Sequence, residues 1–359
     1  MASSEISGVR IAGIASAVPN EIHTVESAKF IDPEEARKIA GSVGVWKRRT
    51  APKSICSSDL CFAAAQRLML ELGWSPKEIS GLIFVSQTPD YILPATSHVL
   101  HSRLGLPASC YAFDINLGCS GYVYGLWVAS SLIQTVPGKT LLLVGDTITR
   151  ATSPQDRAVA LLFGDAGTAT ALVSDRAAPP MYFEMGADGS GASDLIIPAG
   201  GFRRPHDELS GIRTEREGGN IRSDEDLFMD GPEIFVFTLR RVPGLVAAVL
   251  RNAGCKLDDI DAVVFHQANR FMLEHLAARI KVPAEKFVLA LDDFGNTSSA
   301  SIPLVITTKL REAVQTSSRR LLLAGFGVGF SWAGAVLQCG PAVFPELVEC
   351  DESVAGARV

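Results

Sequence analysis

Long apolar runs are missing from this chain: none approaches the eighteen or so residues that a membrane-crossing helix needs. The opening "MASSEISGVR" has no basic stretch followed by an apolar core, so no signal peptide is expected. The seven cysteines are odd in number and lack framework-like spacing, which fits a reducing cytoplasmic setting better than a secreted disulfide scaffold. Positive charge is also short. With 33 Lys and Arg against 39 Asp and Glu, the net charge of -6 excludes a broadly basic nucleic-acid-binding surface. No low-complexity tract stands out. What remains is an ordinary globular composition, 47% hydrophobic and 20% charged, over 359 residues, enough for two domains or one large one.

The chain repeats itself. "KEISGLIFVSQ" at 77–87 resembles "LDDIDAVVFHQ" at 257–267, and aligning Gly81 with Ala262 gives an offset of 181. "TLLLVGD" at 140–146 resembles "RLLLAGF" at 320–326 at an offset of 180. Two nearly equal offsets indicate one half-molecule duplicated. The continuous Leu and β-branched runs read as strands buried on both faces. Helix-period stretches lie between them, such as "YVYGLWVASSLIQ" at 122–134 and "NRFMLEHLAARI" at 269–280. Alternation of this kind predicts an α/β fold whose sheets are covered by helices. The expected division is an N-terminal half over 1–180, a C-terminal half over 181–340 and a poorly ordered acidic tail over 341–359. The polar, glycine-rich segment 199–230 is expected to be a long surface excursion, functional or mobile.

Candidate chemistry gathers at three points. Cys119, in "NLGCSGY", follows a strand-like run and opens a helix, where unpaired N–H groups favour a thiolate. Its own N–H can face an oxyanion. His266 ends the strand "DAVVFHQAN", at the carboxyl edge of a sheet where ligands gather in α/β folds. Asn296, in "GNTSSAS", reads alone as a turn or N-cap residue. The duplication changes that reading, because Cys119 moved by 180 lands on Ser299. Asn296 and Cys119 then start equivalent helices, and a pseudo-twofold axis brings them together with His266. The glycine-dense "GFGVGFSW" at 325–332 offers backbone N–H groups, that of Val328 among them, to complete an oxyanion hole.

Other readings of these residues fit less well. The order Cys, His, Asn also occurs in papain-like proteases, but Ser120 stands where that signature has an aromatic residue. An α/β-hydrolase elbow needs glycine where Leu117 stands. Cys56 and Cys61 lack a second ligand pair for zinc, so no metal site is expected.

The set "GCSGY", "HQAN", "GNTSSAS" and "GFGVGFSWAGAVL" resembles β-ketoacyl-acyl-carrier-protein synthase III, in the thiolase superfamily, and the likeness runs from about residue 8 to 339. That resemblance implies a duplicated thiolase-like α/β/α/β/α five-layer fold and a cytoplasmic homodimer paired through a sheet edge. It implies Cys119, His266 and Asn296 as the catalytic set. Cys119 would take an acyl group from acyl-coenzyme A, and malonyl-acyl carrier protein would lose CO2 and attack that thioester. Arg157, Gly231 and Asn269 would contact the coenzyme, the N–H groups of Cys119 and Val328 would form the oxyanion hole, and Leu93 would reach across the dimer to bound the primer pocket. No cofactor beyond the coenzyme A thioester substrate is implied. The family's adenine clamp would fall near Lys38 and Ser42, which lack its aromatic ring, and Arg203, Arg204, Arg240, Arg241 and Arg279 are candidates for carrier docking. These departures point to a specialised lipid or secondary-metabolite branch. The alternatives are transfer of the Cys119 acyl group to an alcohol or amine without decarboxylation, and a non-catalytic subunit of a biosynthetic complex.

Overall fold

A computed structural model describes residues 1–28 and 31–356. Two mixed sheets form its frame. The strands are β1 (Ala2–Ile6), β2 (Val9–Pro19), β3 (Ile79–Val85), β4 (Tyr111–Ile115), β5 (Lys139–Asp146), β6 (Ala166–Ser174), β7 (Met181–Ala187), β8 (Ala262–Phe265), β9 (Arg319–Gly327), β10 (Ser331–Cys339) and β11 (Val348–Cys350). The first sheet runs β11-β2-β6-β5-β3-β4 and the second β1-β7-β10-β9-β8. Their centres are the same unit twice: β3 and β5 are parallel, as are β8 and β9, and each pair continues into antiparallel neighbours. β5 and β9 are buried along nearly their whole length, as continuous apolar runs covered on both faces should be.

The pairing register corrects the offset read from sequence. Leu82 faces Leu141 in the first sheet and Ala262 faces Leu321 in the second, so both strands are displaced by 180. The two quoted segments agree when matched end to end, since residues 77 and 257, and 87 and 267, are each 180 apart.

The helices are α1 (Pro33–Val43), α2 (Ser57–Leu72), α3 (Thr96–Arg103), α4 (Gly121–Thr135), α5 (Gly231–Asn252), α6 (Arg270–Ile280) and α7 (Ser301–Lys309). α4 and α7 start 180 residues apart and lie between the sheets, sharing one core through Tyr122, Val123, Leu126, Ile302, Val305 and Ile306. Tight seating follows from Gly121, where a Cβ would come within 2.7 Å of Val85. α2 covers the outer face of the first sheet, and α5 and α6 that of the second. The result is the expected five layers.

Both ends of the chain cross the expected division. β1 pairs with β7, Ala2 against Met185, so residues 2–6 belong to the second sheet. The tail is not a loose acidic end. Val343 exchanges backbone hydrogen bonds with Ala12 and Ile14, Phe344 is fully buried, and β11 adds a parallel strand to β2. The Gly356 N–H donates to Asp59 Oδ1 at 2.7 Å; residues 357–359 of the expected tail lie outside the described residues. Apolar residues outweigh the acidic ones here: Phe344 is buried in the core between the sheets, Cys350 in that of the first sheet's outer face, and Val343 packs partly buried against the latter.

The segment 199–230 is on the surface but knitted to it. Thr214–Glu215 pairs with Ile221–Arg222, and Phe228–Met229 with Leu195–Ile196. Arg213 donates twice to Asp226, at 3.0 and 2.9 Å, and Leu227 N–H donates to Ala151 O. The charged residues of this segment largely satisfy one another, which is why a polar sequence holds a defined path here.

Candidate active site

Each half brings one strand end and one helix start to the same cavity. Cys119 lies two residues before α4, His266 follows β8 directly, and Asn296 lies just ahead of the 3-10 turn Ser298–Ala300 that leads into α7. All three line a narrow cavity of about 40 Å3 with Leu162, Phe163, Leu195 and Met229. The expected constellation is therefore one site. Close approach here depends on Gly327, where a Cβ would sit 2.8 Å from Cys119 Sγ.

Burial sets the charge states. Cys119 is buried, and desolvation pushes its thiol up to about 11, against the pull of the Val328 and Cys119 N–H groups and the Ser298 hydroxyl. The helix start was expected to favour a thiolate; in the resting site, loss of solvent outweighs it. His266 is held down at about 3 by burial and is neutral at ordinary pH. Its Nδ1 lies 2.8 Å from Ser301 Oγ, and its ring meets Phe326 edge-on at 5.9 Å. Asn296 Oδ1 accepts from the Ser298 N–H at 2.9 Å, and its Nδ2 donates to Ala268 O at 3.3 Å. That leaves one amide hydrogen of Asn296 for a ligand.

The remaining predicted residues are less tightly gathered. Asn269 lines the cavity, and its side chain also accepts from Met272 N–H as the cap of α6. Gly231 opens α5 with free space around it, beside the lining residues Met229 and Ile234 but outside the lining itself. Arg157 is half exposed and pairs with Glu35 of α1 at 3.3 Å, outside the lining. Leu93 is 77% exposed and borders neither this cavity nor its neighbour, so it bounds no primer pocket within one chain. Lys38 pairs with Glu34, and the docking candidates Arg204 and Arg241 are held by Asp224 and Asp188.

Sequence reasoning missed the serines that organise the site. Ser301 supports His266, and Ser298 holds Asn296. A signal was there, because "GNTSSAS" places four hydroxyls where the first half has Ser120 alone. A second, larger cavity of about 660 Å3 was also not foreseen. It is lined by Gln87, Asn116, Ile148, Ile196, Ile197, Leu227 and Val328, and Leu195 borders both cavities.

Two sheets enclosing paired helices, with a cysteine, a neutral histidine and an asparagine at their meeting point, define a thiolase-like acyl-transfer protein. The family model described as 3-Oxoacyl-[acyl-carrier-protein (ACP)] synthase III matches residues 113–189, and its C-terminal counterpart matches 250–339. A β-ketoacyl-[acyl-carrier-protein] synthase III of Caldanaerobacter subterraneus subsp. tengcongensis is 31% identical over 331 residues, 91% of this chain and 97% of that protein. The crystal structure of a 3-oxoacyl-(acyl-carrier protein) synthase from Burkholderia xenovorans is 46% identical, with a TM-score of 0.92 over 97% of this chain and 99% of that one. The priming β-ketosynthase of the R1128 polyketide pathway is 25% identical, with a TM-score of 0.77 over 93% and 97% of the two chains. The chain belongs to the β-ketoacyl-acyl-carrier-protein synthase III family of thiolase-like condensing enzymes. Among the described residues, no helix is long and apolar enough to cross a membrane.

Proposed function

We propose that Cys119 accepts the acyl group of an acyl-coenzyme A primer and that malonyl-acyl carrier protein is the condensing partner. The observation that carries this reading is the single cavity shared by Cys119, neutral His266 and the free amide hydrogen of Asn296. Loading makes a thioester: the Cys119 sulfur attacks the primer carbonyl, and the pantetheine thiol leaves. Decarboxylation of the malonyl group then builds negative charge on its thioester oxygen. Two neutral donors, His266 and Asn296, meet that charge without titrating away. The carbanion attacks the Cys119 thioester, whose own oxyanion is met by the N–H groups of Cys119 and Val328.

The larger cavity supports an acyl chain longer than acetyl. Its walls are mostly apolar and it begins at Val328, beside the thiol. Leu93 enters this reading only through a second copy of the chain, as part of a homodimer. Arg157, Gly231 and Asn269 are proposed contacts for the coenzyme, with Arg157 first having to leave Glu35.

Intact-mass screening of acyl-coenzyme A panels tests the reading. Octanoyl-coenzyme A is expected to add its acyl mass to the native protein and none to Cys119→Ala. Acetyl as the fastest primer, with no octanoyl adduct, overturns the chain-length reading, and no adduct from any acyl group overturns the loading step.

A further inference from the structure

The larger cavity is apolar along most of its wall, with a polar exception close to the thiol. Three polar side chains line it: Gln87, Asn116 and Glu225. Glu225 is already engaged by the segment 199–230, accepting from Ser210 Oγ and His206 Nδ1. The two amides are not used up in this way. Gln87 Nε2 donates to Asn116 Oδ1 at 3.3 Å, and among the described residues no other side-chain hydrogen bond engages either amide. Gln87 Oε1 is left as an acceptor, and the Asn116 amide hydrogens as donors.

The fold fixes this pair beside Cys119. Gln87 lies just beyond β3 and Asn116 just beyond β4, which are neighbouring parallel strands, so both amides stand at the carboxyl edge of the first sheet. The Gln87 N–H donates to the buried Asp146 carboxylate at 2.8 Å, which pins its backbone. Its side chain lies over Gly118, the residue before Cys119. A Cβ at Gly118 would come within 2.3 Å of Gln87 Oε1 and 2.9 Å of Val328 Cγ1, so glycine is what admits the amide here. An acyl chain running from the Cys119 sulfur into the larger cavity therefore meets the amide pair within its first few carbons. The rest of the wall offers it Ile196, Ile197 and Leu227. A plain alkyl chain would strip water from the free amide groups and return no hydrogen bond, which is costly. A hydroxyl both donates and accepts, and so answers Gln87 Oε1 and an Asn116 hydrogen together.

We infer that the primer carries a hydroxyl on its third carbon, held by Gln87 and Asn116, with an apolar chain beyond it. The third carbon is the first that stands clear of the thioester carbonyl and its neighbour. Gln87 and Asn116 are specificity residues: they select among acyl groups and take no part in the bonds made or broken at the sulfur. This inference rests on the loading of Cys119 proposed above.

The test is a competition. Octanoyl-coenzyme A and 3-hydroxyoctanoyl-coenzyme A, each enantiomer of the latter in turn, are offered to the protein in equal amounts. Intact mass before saturation separates the two adducts by their one-oxygen difference. One enantiomer is expected to load about tenfold faster than octanoyl, the discrimination that one or two such hydrogen bonds give. In Gln87→Met and in Asn116→Leu, apolar replacements of similar size, that ratio is expected to fall to about one. Both adducts form in one sample, so a general loss of activity lowers them together and leaves the ratio unchanged. A native ratio near one for both enantiomers, or a ratio that survives both substitutions, overturns the inference and leaves loading intact. If one variant does not fold, the other decides alone. A native protein that takes neither acyl group overturns the loading reading, and this inference falls with it.

Discussion

The two halves share a frame and divide the chemistry. At the helix starts, Cys119 corresponds to Ser299 and Gly121 to Ser301; at the strand ends, Ser86 corresponds to His266 and Asp146 to Phe326. The first half thus carries the sulfur and a buried acid. The second carries a neutral imidazole, an amide and an aromatic ring against that imidazole. Two copies of one fold, facing each other, give a single cavity two unlike walls. One wall makes a nucleophile, and the other receives negative charge without supplying any.

Exchanging roles across that divide is expected to give the largest effect. Cys119→Ala should abolish acyl loading, whereas Ser299→Ala, at the equivalent position, should retain it; intact mass reads both. Next comes the receiving wall. Asn296→Ala should slow CO2 release by about 10²–10³-fold, the usual loss for one oxyanion donor, while loading at Cys119 persists. Rates of both steps, measured separately, check this.

The shared frame makes a different prediction. Leu126 and Ile306 are equivalent and both fully buried in the central core. Leu126→Ala and Ile306→Ala should each cost about 2–5 kcal/mol in denaturant unfolding, since packing did not diverge as the chemistry did. A smaller effect concerns His266. Its folded pKa of about 3 lies below the unfolded value, so between those values the unfolded chain binds a proton that the folded one refuses. Stability therefore falls as pH drops from about 6.5 toward 3, at about 1.4 kcal/mol per unit from this group. His266→Gln should flatten the urea midpoint against pH by that amount. The smallest effect is at the tail, where Arg49 and the half-exposed Glu349 pair at 2.6 Å. Glu349→Ala should cost about 1 kcal/mol or less.

Much of this contrast was legible in the chain. β3, β5, β8 and β9 announce themselves as continuous apolar runs, and the spacing between copies placed Cys119 opposite Asn296. The illegible parts are those settled by distant partners. β1 pairs with a strand about 180 residues away, and the tail's Val343 and Phe344 are ordered by a groove that only the folded first sheet creates. Neither leaves a local pattern. Asp146 was missed for a related reason: an acidic residue ending a strand reads as solvated, and the donors that hold it buried lie at 86–88 and at Ser299 in the other half. The thiol was misjudged because a helix start is visible in sequence while desolvation is not. Arg157 was placed by likeness, and its pairing with Glu35 was not visible until the chain was folded.

One measurement bears most directly on the division of labour between the walls. Protein loaded with an acyl group at Cys119 is mixed with malonyl-acyl carrier protein, and CO2 and β-ketoacyl product are followed together. The expected result is equal yields of both from the native protein and a loss of both in loaded Asn296→Ala. Transfer of the acyl group to an alcohol or amine without CO2, or native-rate CO2 release from Asn296→Ala, would contradict it.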